Sequence, residues 1–210
     1  MANTRRQLRQ SRHIDALSQH GHDQLLIYFH NVGGMGSASQ MSAVRSALFD
    51  APYDVVLIET WFTTDVMSSE VFNSSDWLVM RCDRGDLGDH RRGGGVLIAV
   101  KRTLVAGEIL VENAARIEQC WARIQLPEYA LYLGGVYLPP GSDVSSYDQV
   151  ISSTRMVIDS SDAADRILVF GDFNCVLDWM PDPEDPSFMR VNDGPATNVE
   201  FVDSMSATQI

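Results

Sequence analysis

Four apolar runs of strand length, Val55 to Ile58, Leu97 to Val100, Leu131 to Leu138 and Ile167 to Phe170, confine this chain to an architecture built on sheets. None can span a bilayer, because a membrane helix needs about 20 apolar residues, so no membrane partner is expected. The runs are continuous rather than alternating. Val55 to Ile58 in particular reads as a strand buried on both faces, as when helices cover a sheet.

Between these runs the pattern supplies the helices. Leu25 to Phe29 forms a first apolar run ending at His30 and Asn31, and Gly33, Gly34 and Gly36 form the turn beyond it. Ser39 or Ser42 then caps a helix in which Met41, Val44, Ala47 and Leu48 recur at spacings of three and four, ending near Asp50-Ala51-Pro52. Trp77 to Arg81 reads as a strand. Cys82 to Gly95 reads as an irregular, exposed, mixed-charge loop leading into Val96 to Val100. Cys120 to Leu126 and Leu131 to Leu138 flank Pro127-Glu128 and predict a tight antiparallel connection. Tyr147, Val150, Ile151, Met156 and Val157 give a helical stripe, and Asn198 to Ser206 begins a last helix with Phe201, Val202 and Met205 on one side.

With 210 residues, 45% of them hydrophobic, the chain can bury one sizeable core, so a single domain is expected at 24–210 after a polar leader at 1–23. That leader carries Arg5, Arg6, Arg9 and Arg12 without an apolar h-region, which excludes a secretory signal. Cys82, Cys120 and Cys175 are odd in number and widely spaced; they fit buried reduced thiols rather than a disulfide framework or a C-x₂-C metal site. The net charge of −12 is uneven: residues 143–210 hold 3 basic and 13 acidic groups against 13 and 15 in residues 1–142. Such a balance argues against a generic DNA-binding surface, since phosphate backbones are held mainly by Arg and Lys.

Chemistry-bearing residues follow the strand-like runs. Glu59 directly follows VVLI, so a strand delivers its carboxylate to a sheet edge, where open α/β architectures gather ligands. It is the metal candidate, against a competing reading as a capping or surface residue. Mg²⁺, with Mn²⁺ as the alternative, takes oxygen ligands and keeps several waters, so few protein ligands suffice. Asp172 and Asn174 stand two apart after RILVF, and in an extended segment that spacing points both the same way. Asp172 can then position or deprotonate a water, while Asn174 donates to a phosphate oxygen. G-D-x-N is equally an ordinary turn signal. Asn31 can orient a carboxylate, a water or a phosphate oxygen, or make an Asx turn before the glycines; Tyr137 can donate to a phosphate oxygen or cover the core. Asp178, Asp182, Glu184 and Asp185 lack the alternation and central Gly of a calcium loop and read as a solvated acidic loop. Arg91-Arg92-Gly93-Gly94-Gly95 lacks the Lys and Ser/Thr of a P-loop; its arginines can contact a nucleic-acid backbone or pair with Asp83, Asp86 and Asp89.

Taken in order, LLIYFHNVGGM, YDVVLIETWF, RRGGGVLIAV, CWARIQL, GGVYLPP and ILVFGDFNCVLD resemble the endonuclease domain of non-LTR retrotransposons, from about Leu25 onward. The resemblance implies the endonuclease/exonuclease/phosphatase superfamily and its DNase I-like α/β fold, a two-sheet sandwich flanked by helices and here missing its last strands. It makes Asn31 the first-strand site asparagine, Glu59 the metal glutamate, Tyr137 the active-site tyrosine, and Asp172 with Asn174 the catalytic pair. The implied activity is metal-dependent nicking of DNA to prime reverse transcription, with a reverse transcriptase domain in the full-length parent and a nuclear setting. Gly33 stands where such sequences often show Arg. The family's later site residues, an Asp and a terminal Asp-His pair, have no counterpart before Ile210, and all five histidines lie at or before His90. Impaired or absent activity is therefore expected of this chain. Two other readings stand beside the endonuclease: a phosphomonoesterase or phospholipid phosphodiesterase on the same core, and a non-catalytic decayed or domesticated fragment.

Overall fold

The apolar runs sort into two sheets packed face to face. The computed structural model describes residues 14–15, 25–32, 37–49, 53–59, 73–88, 93–175, 177–181, 183 and 189–207. The first sheet contains β1 (Ile14–Asp15), β2 (Leu26–Asn31), β3 (Val55–Glu59), β4 (Trp77–Cys82) and β5 (Val96–Lys101) in the order β1-β2-β3-β5-β4. The second contains β6 (Val105–Ile109), β7 (Glu118–Gln125), β8 (Ala130–Tyr137) and β9 (Arg166–Asp172) in chain order. A separate hairpin pairs β10 (Asp178–Pro181) with β11 (Met189–Asp193).

Strand alternation divides each run between two layers. Val55, Leu57, Val96, Ile98 and Val100 of the first sheet meet Cys120, Ala122, Ile124, Leu131 and Leu133 of the second in one core cluster. Their neighbours Val56, Leu97 and Ala99 face the other way, where Met41 and Val44 of helix α1 (Ala38–Phe49) pack on them with Trp77. On the second sheet's outer face, Tyr147 and Val150 of α2 (Val144–Asp159) and Phe201 of α3 (Ala196–Ala207) cover Ile117, Val136 and Leu138. Val157 of α2 covers Trp121, Ala130 and Tyr132. The result is a helix, two sheets and a further helical layer, so the central strands are buried twice over. Leu57, Ile98 and Leu133 are at most 1% exposed, each worth about 2 kcal/mol of burial.

The two parallel pairs decide where the site lies. Parallel neighbours cannot be joined by a tight turn and need a crossover, commonly a helix. β2 and β3 are parallel with α1 between them, and β8 and β9 are parallel with α2 between them. Each sheet thus carries one strand-helix-strand unit. Asn31 pairs with Glu59 at the end of the first, and Tyr137 with Asp172 at the end of the second.

Several expectations are corrected. The cap of α1 is Ser37, whose Oγ accepts from the Gln40 amide at 3.3 Å, rather than Ser39 or Ser42. Ser37-x-x-Gln40 also brings the two side chains together at 2.8 Å, an arrangement close to a capping box. Met156 is 38% exposed, and Thr154 takes the inward place, its hydroxyl donating to the Val150 carbonyl at 2.8 Å. Satisfying that hydroxyl inside the helix lets a polar residue lie in an apolar stripe. The stretch after Asp172 is not simply an acidic loop, because Asp178–Pro181 forms a strand of the β10–β11 hairpin. The loop after β4 is not wholly exposed: Asp83 and Arg84 are buried, and Arg84–Leu87 forms a 3-10 turn. β6 went unread because a half-exposed edge strand such as VAGEI has no continuous apolar signal. Ile14–Asp15, inside the expected leader, pairs antiparallel with β2. Gly33, Gly34, Gly36, the Asp50-Ala51-Pro52 helix end, Asp89, Arg91, Arg92, Asp182, Glu184 and Asp185 lie outside the described residues.

All three cysteines are free, with Cys120 buried and Cys82 and Cys175 half-buried. Burial pushes the Cys82 thiol up to about 11, as expected of an inert reduced thiol. Among the described residues no helix is long and apolar enough to cross a membrane.

Candidate active site

Asn31 and Asp172 meet where the two sheets end. The Asn31 side-chain amide donates to Asp172 Oδ2 at 3.0 Å, joining residues 141 positions apart in sequence and belonging to different sheets. Two residues earlier on the same strands, the rings of Phe29 and Phe170 stack with centroids 6.0 Å apart. Strand alternation explains the pairing: Phe29 and Asn31 share one face of β2, and Phe170 and Asp172 share one face of β9. The aromatic pair forms an apolar floor, and the polar pair stands over it at the rim. Asn31 is exposed and Asp172 half-exposed, so both remain reachable.

The second carboxylate oxygen of Asp172 is also engaged. Asn174 donates its backbone amide to Asp172 Oδ1 at 3.1 Å, and its side-chain amide to the Leu138 carbonyl at 2.8 Å. Asn174 has φ +47°, the left-handed region that Asn tolerates better than most residues. The expectation of an extended segment at 172–174 is therefore corrected: the chain turns, and the pair is held by an Asx turn. The geometry is that of the turn reading. Leu138, the residue after Tyr137, donates its amide to the Asp172 carbonyl at 2.9 Å, which extends the β8–β9 ladder to the site.

The loop bearing Asn174 is anchored from behind. Tyr147 donates its hydroxyl to the Phe173 carbonyl at 3.3 Å, and Phe201 packs against Tyr147 and Phe173 with centroids 5.1 and 5.3 Å away. Burial first, and then the neighbouring Cys175 thiol, push the Tyr147 phenol up to about 12, so it stays a donor.

Tyr137 is half-buried at the end of β8, its ring packed against the inter-sheet core. It is in register with Asp172 on one side and Glu118 on the other. Glu59 ends β3 in register with Asn31 and Val96; its side chain is outside the described residues, as is Trp61. Among the described residues no group of three or more His, Cys, Asp and Glu gathers. Asp172 reaches this end of the sandwich by side chain and Glu59 by backbone register, and carboxylate oxygen is the ligand type that Mg²⁺ takes.

Sequence reasoning missed a buried ion pair beside Tyr137. Arg84 Nε donates to Glu118 Oε1, both residues are buried, and the guanidinium carbon lies 5.6 Å from the Tyr137 ring centroid. Burial acts to lower the Arg84 pKa, but hydrogen bonds and charge from Glu118, and then Tyr137, hold it above the ordinary guanidinium value. Glu118 carried a readable signal: a carboxylate opening a strand that continues QCWARI demands a buried partner.

No family model matches the chain, and no curated protein matches it. Solved structures do. A 3′ phosphatase, NExo from Neisseria, solved with a product DNA hairpin, is similar over 86% of this chain and 70% of its own, at 13% identity and TM-score 0.57. The endonuclease domain of TRAS1, a telomere-specific non-LTR retrotransposon, is similar over 86% of this chain and 69% of its own, at 14% identity and TM-score 0.51. Truncated TDP2 from Caenorhabditis elegans is similar over 70% of this chain and 61% of its own, at 11% identity and TM-score 0.53. The chain spans roughly two thirds of the length of these proteins. Its fold is the DNase I-like two-sheet α/β sandwich that these solved structures share.

Proposed function

We propose that this chain is a metal-dependent phosphoesterase acting on DNA, an endonuclease that nicks a strand and leaves a 3′-hydroxyl. The observation that carries the reading is the Asn31 to Asp172 hydrogen bond at the rim where the two parallel strand pairs end, with Tyr137 in register beside it. Three chain segments far apart in sequence, ending at Asn31, Tyr137 and Asp172, bring polar side chains to one edge over an apolar floor, and the backbone of β3 ends at Glu59 beside Asn31. Such a convergence of oxygen and amide groups suits a phosphate better than an apolar ligand.

In this reading Asp172 accepts the proton of the attacking water. Asn31 and the Asn174 amide hold one carboxylate oxygen each, which sets the orientation from which that proton is taken. The water oxygen bonds to phosphorus and the bond from phosphorus to the 3′ oxygen breaks. Tyr137 and the remaining Asn174 N–H act as donors toward the phosphate oxygens on which charge accumulates. Glu59 would hold a Mg²⁺ ion, with Mn²⁺ as a substitute, whose chemistry is to neutralise charge on the phosphoryl oxygens. Supplying a primer end to a reverse transcriptase is the corresponding biological role.

Net charge favours a second reading on the same site. At −12 the chain has no surplus of cations to follow a long phosphate backbone, whereas a phosphomonoester or a phospholipid headgroup needs none. Supercoiled plasmid, a 3′-phosphorylated oligonucleotide and sphingomyelin, each with Mg²⁺ and with EDTA, separate the two. Nicking that EDTA abolishes, and that Glu59→Ala and Asp172→Asn each lower by about 10²–10⁴-fold, is the outcome of this reading and would overturn the expectation of impaired or absent activity. Cleavage confined to the oligonucleotide phosphate or the lipid would move the assignment to the second reading. Plasmid nicking indifferent to EDTA and to both substitutions would remove the site from consideration.

A further inference from the structure

Arg84 and Glu118 have no task in the chemistry above, yet they are 8% and 4% exposed and sit against the proposed active-site tyrosine. They reach it from different sheets, Arg84 from the 3-10 turn after β4 and Glu118 from the first residue of β7. Besides the Nε to Oε1 hydrogen bond, Arg84 Nη2 lies 3.4 Å from Glu118 Oε2, so the fork meets both carboxylate oxygens. Glu118 is the register partner of Tyr137, and the guanidinium lies over the Tyr137 ring. Gly94, at φ +72°, closes the pair from above: a Cβ there would stand 2.6 Å from Glu118 Oε1 and overlap the guanidinium. Glycine takes that backbone angle without strain and leaves the ion pair undisplaced.

A buried ion pair is an expensive way to join two sheets, since apolar side chains of similar volume do it as well or better. What the pair adds is a fixed direction. A tyrosine on the last residue of a strand has one rotatable side held only by the core, whereas a donor to a developing charge must be in place before the reaction. We propose that Arg84 and Glu118 are positioning residues that clamp Tyr137 at the end of β8, with Gly94 admitting the backbone that seals the clamp. Glu118 orients the guanidinium, the guanidinium holds the ring, and the phenol is thereby presented beside Asp172. The consequence for turnover rests on the phosphoesterase reading; the clamp itself does not.

The test uses the full chain with Arg84 and Glu118 replaced together, Arg84→Met/Glu118→Leu, because removing both leaves neither charge buried without its counter-charge. A melting temperature at or above the parent value is expected, with kcat for plasmid nicking lower by about 10²-fold and KM little changed. In a Tyr137→Phe background the same double change should cost nothing further. Unchanged kcat in the folded double variant, or an equal loss in both backgrounds, would overturn the proposal in favour of a purely structural pair. An independent readout is the ¹⁹F spectrum of the 3-fluorotyrosine-labelled chain, in which Tyr137 is identified by its loss in Tyr137→Phe. That resonance should shift or broaden in the double variant. If the parent hydrolyses no phosphoester, the functional reading fails, and the fluorine signal alone decides: a moved resonance supports the clamp, and one unmoved overturns it. Should the double variant not fold, Arg84→Lys keeps the charge without the planar fork and is judged by the same readouts.

Discussion

Asp172 gathers two hydrogen bonds whose donors lie in β2 and in the turn after β9, and only one of them was legible in advance. The Asn174 contact is local and follows from G-D-x-N, whereas the Asn31 contact needs both sheets to be in place. Local capping also sets an acid sensitivity. Asp143 caps α2, and the Ser146 hydroxyl, the Ser145 hydroxyl and the Ser146 amide together hold its carboxyl below the usual carboxylate value of 3.8. The native state therefore binds this proton less readily than the unfolded chain does. Its stabilisation is complete above pH 3.8 and is lost as pH falls through the lower native value. Asp143→Ala should melt below the parent at pH 7, and the gap should close on acidification below pH 3.8. A gap that persists to the most acid conditions at which both fold would rule out the cap as its source.

At the scale of elements, the β8–β9 pair is the one on which the site depends. Gly171 stands one residue before Asp172, and a Cβ there would overlap the Val136 carbonyl oxygen, with its carbon at 3.0 Å. The neighbour is backbone and cannot rotate away, so the strands must part. Gly171→Ala should destabilise by about 1–3 kcal/mol and abolish the Asp172 geometry. Gly107 in β6 is the contrast, because nothing lies within 4 Å of a Cβ built there. Gly107→Ala should be neutral or stabilise by up to about 1 kcal/mol. Thermal melts of the two variants check this, and equal losses would contradict the close-approach argument. The same asymmetry explains what could be read beforehand: β3, β5 and β8 announced themselves by continuous apolar runs, whereas β6 did not because its strand is half in water.

At the scale of the molecule, a single inter-sheet core supports both strand-helix-strand units, so damage there should travel to the site. Ile98 is wholly buried between the sheets, and the volume vacated by Ile98→Ala should cost about 2–5 kcal/mol. Val105, 74% exposed on the edge strand, should tolerate Ala within about 0.5 kcal/mol. Chemical denaturation of both variants measures the contrast, and a similar midpoint for the two would mean the core is not shared. The apolar strands, the helices between them and the strand-ending positions of Asn31, Glu59, Tyr137 and Asp172 are written in the local pattern, because burial on two faces and helical periodicity act over short stretches of chain, whereas the two-sheet sandwich followed from the family resemblance. That Asn31 bonds Asp172 across 141 positions, that Asn174 turns left-handed onto Leu138, and that Arg84 is buried against Glu118 beside Tyr137 depend on how the two sheets come together. Charge and amide partners are chosen by distance in space once the core has closed, and no periodicity along the chain encodes that distance.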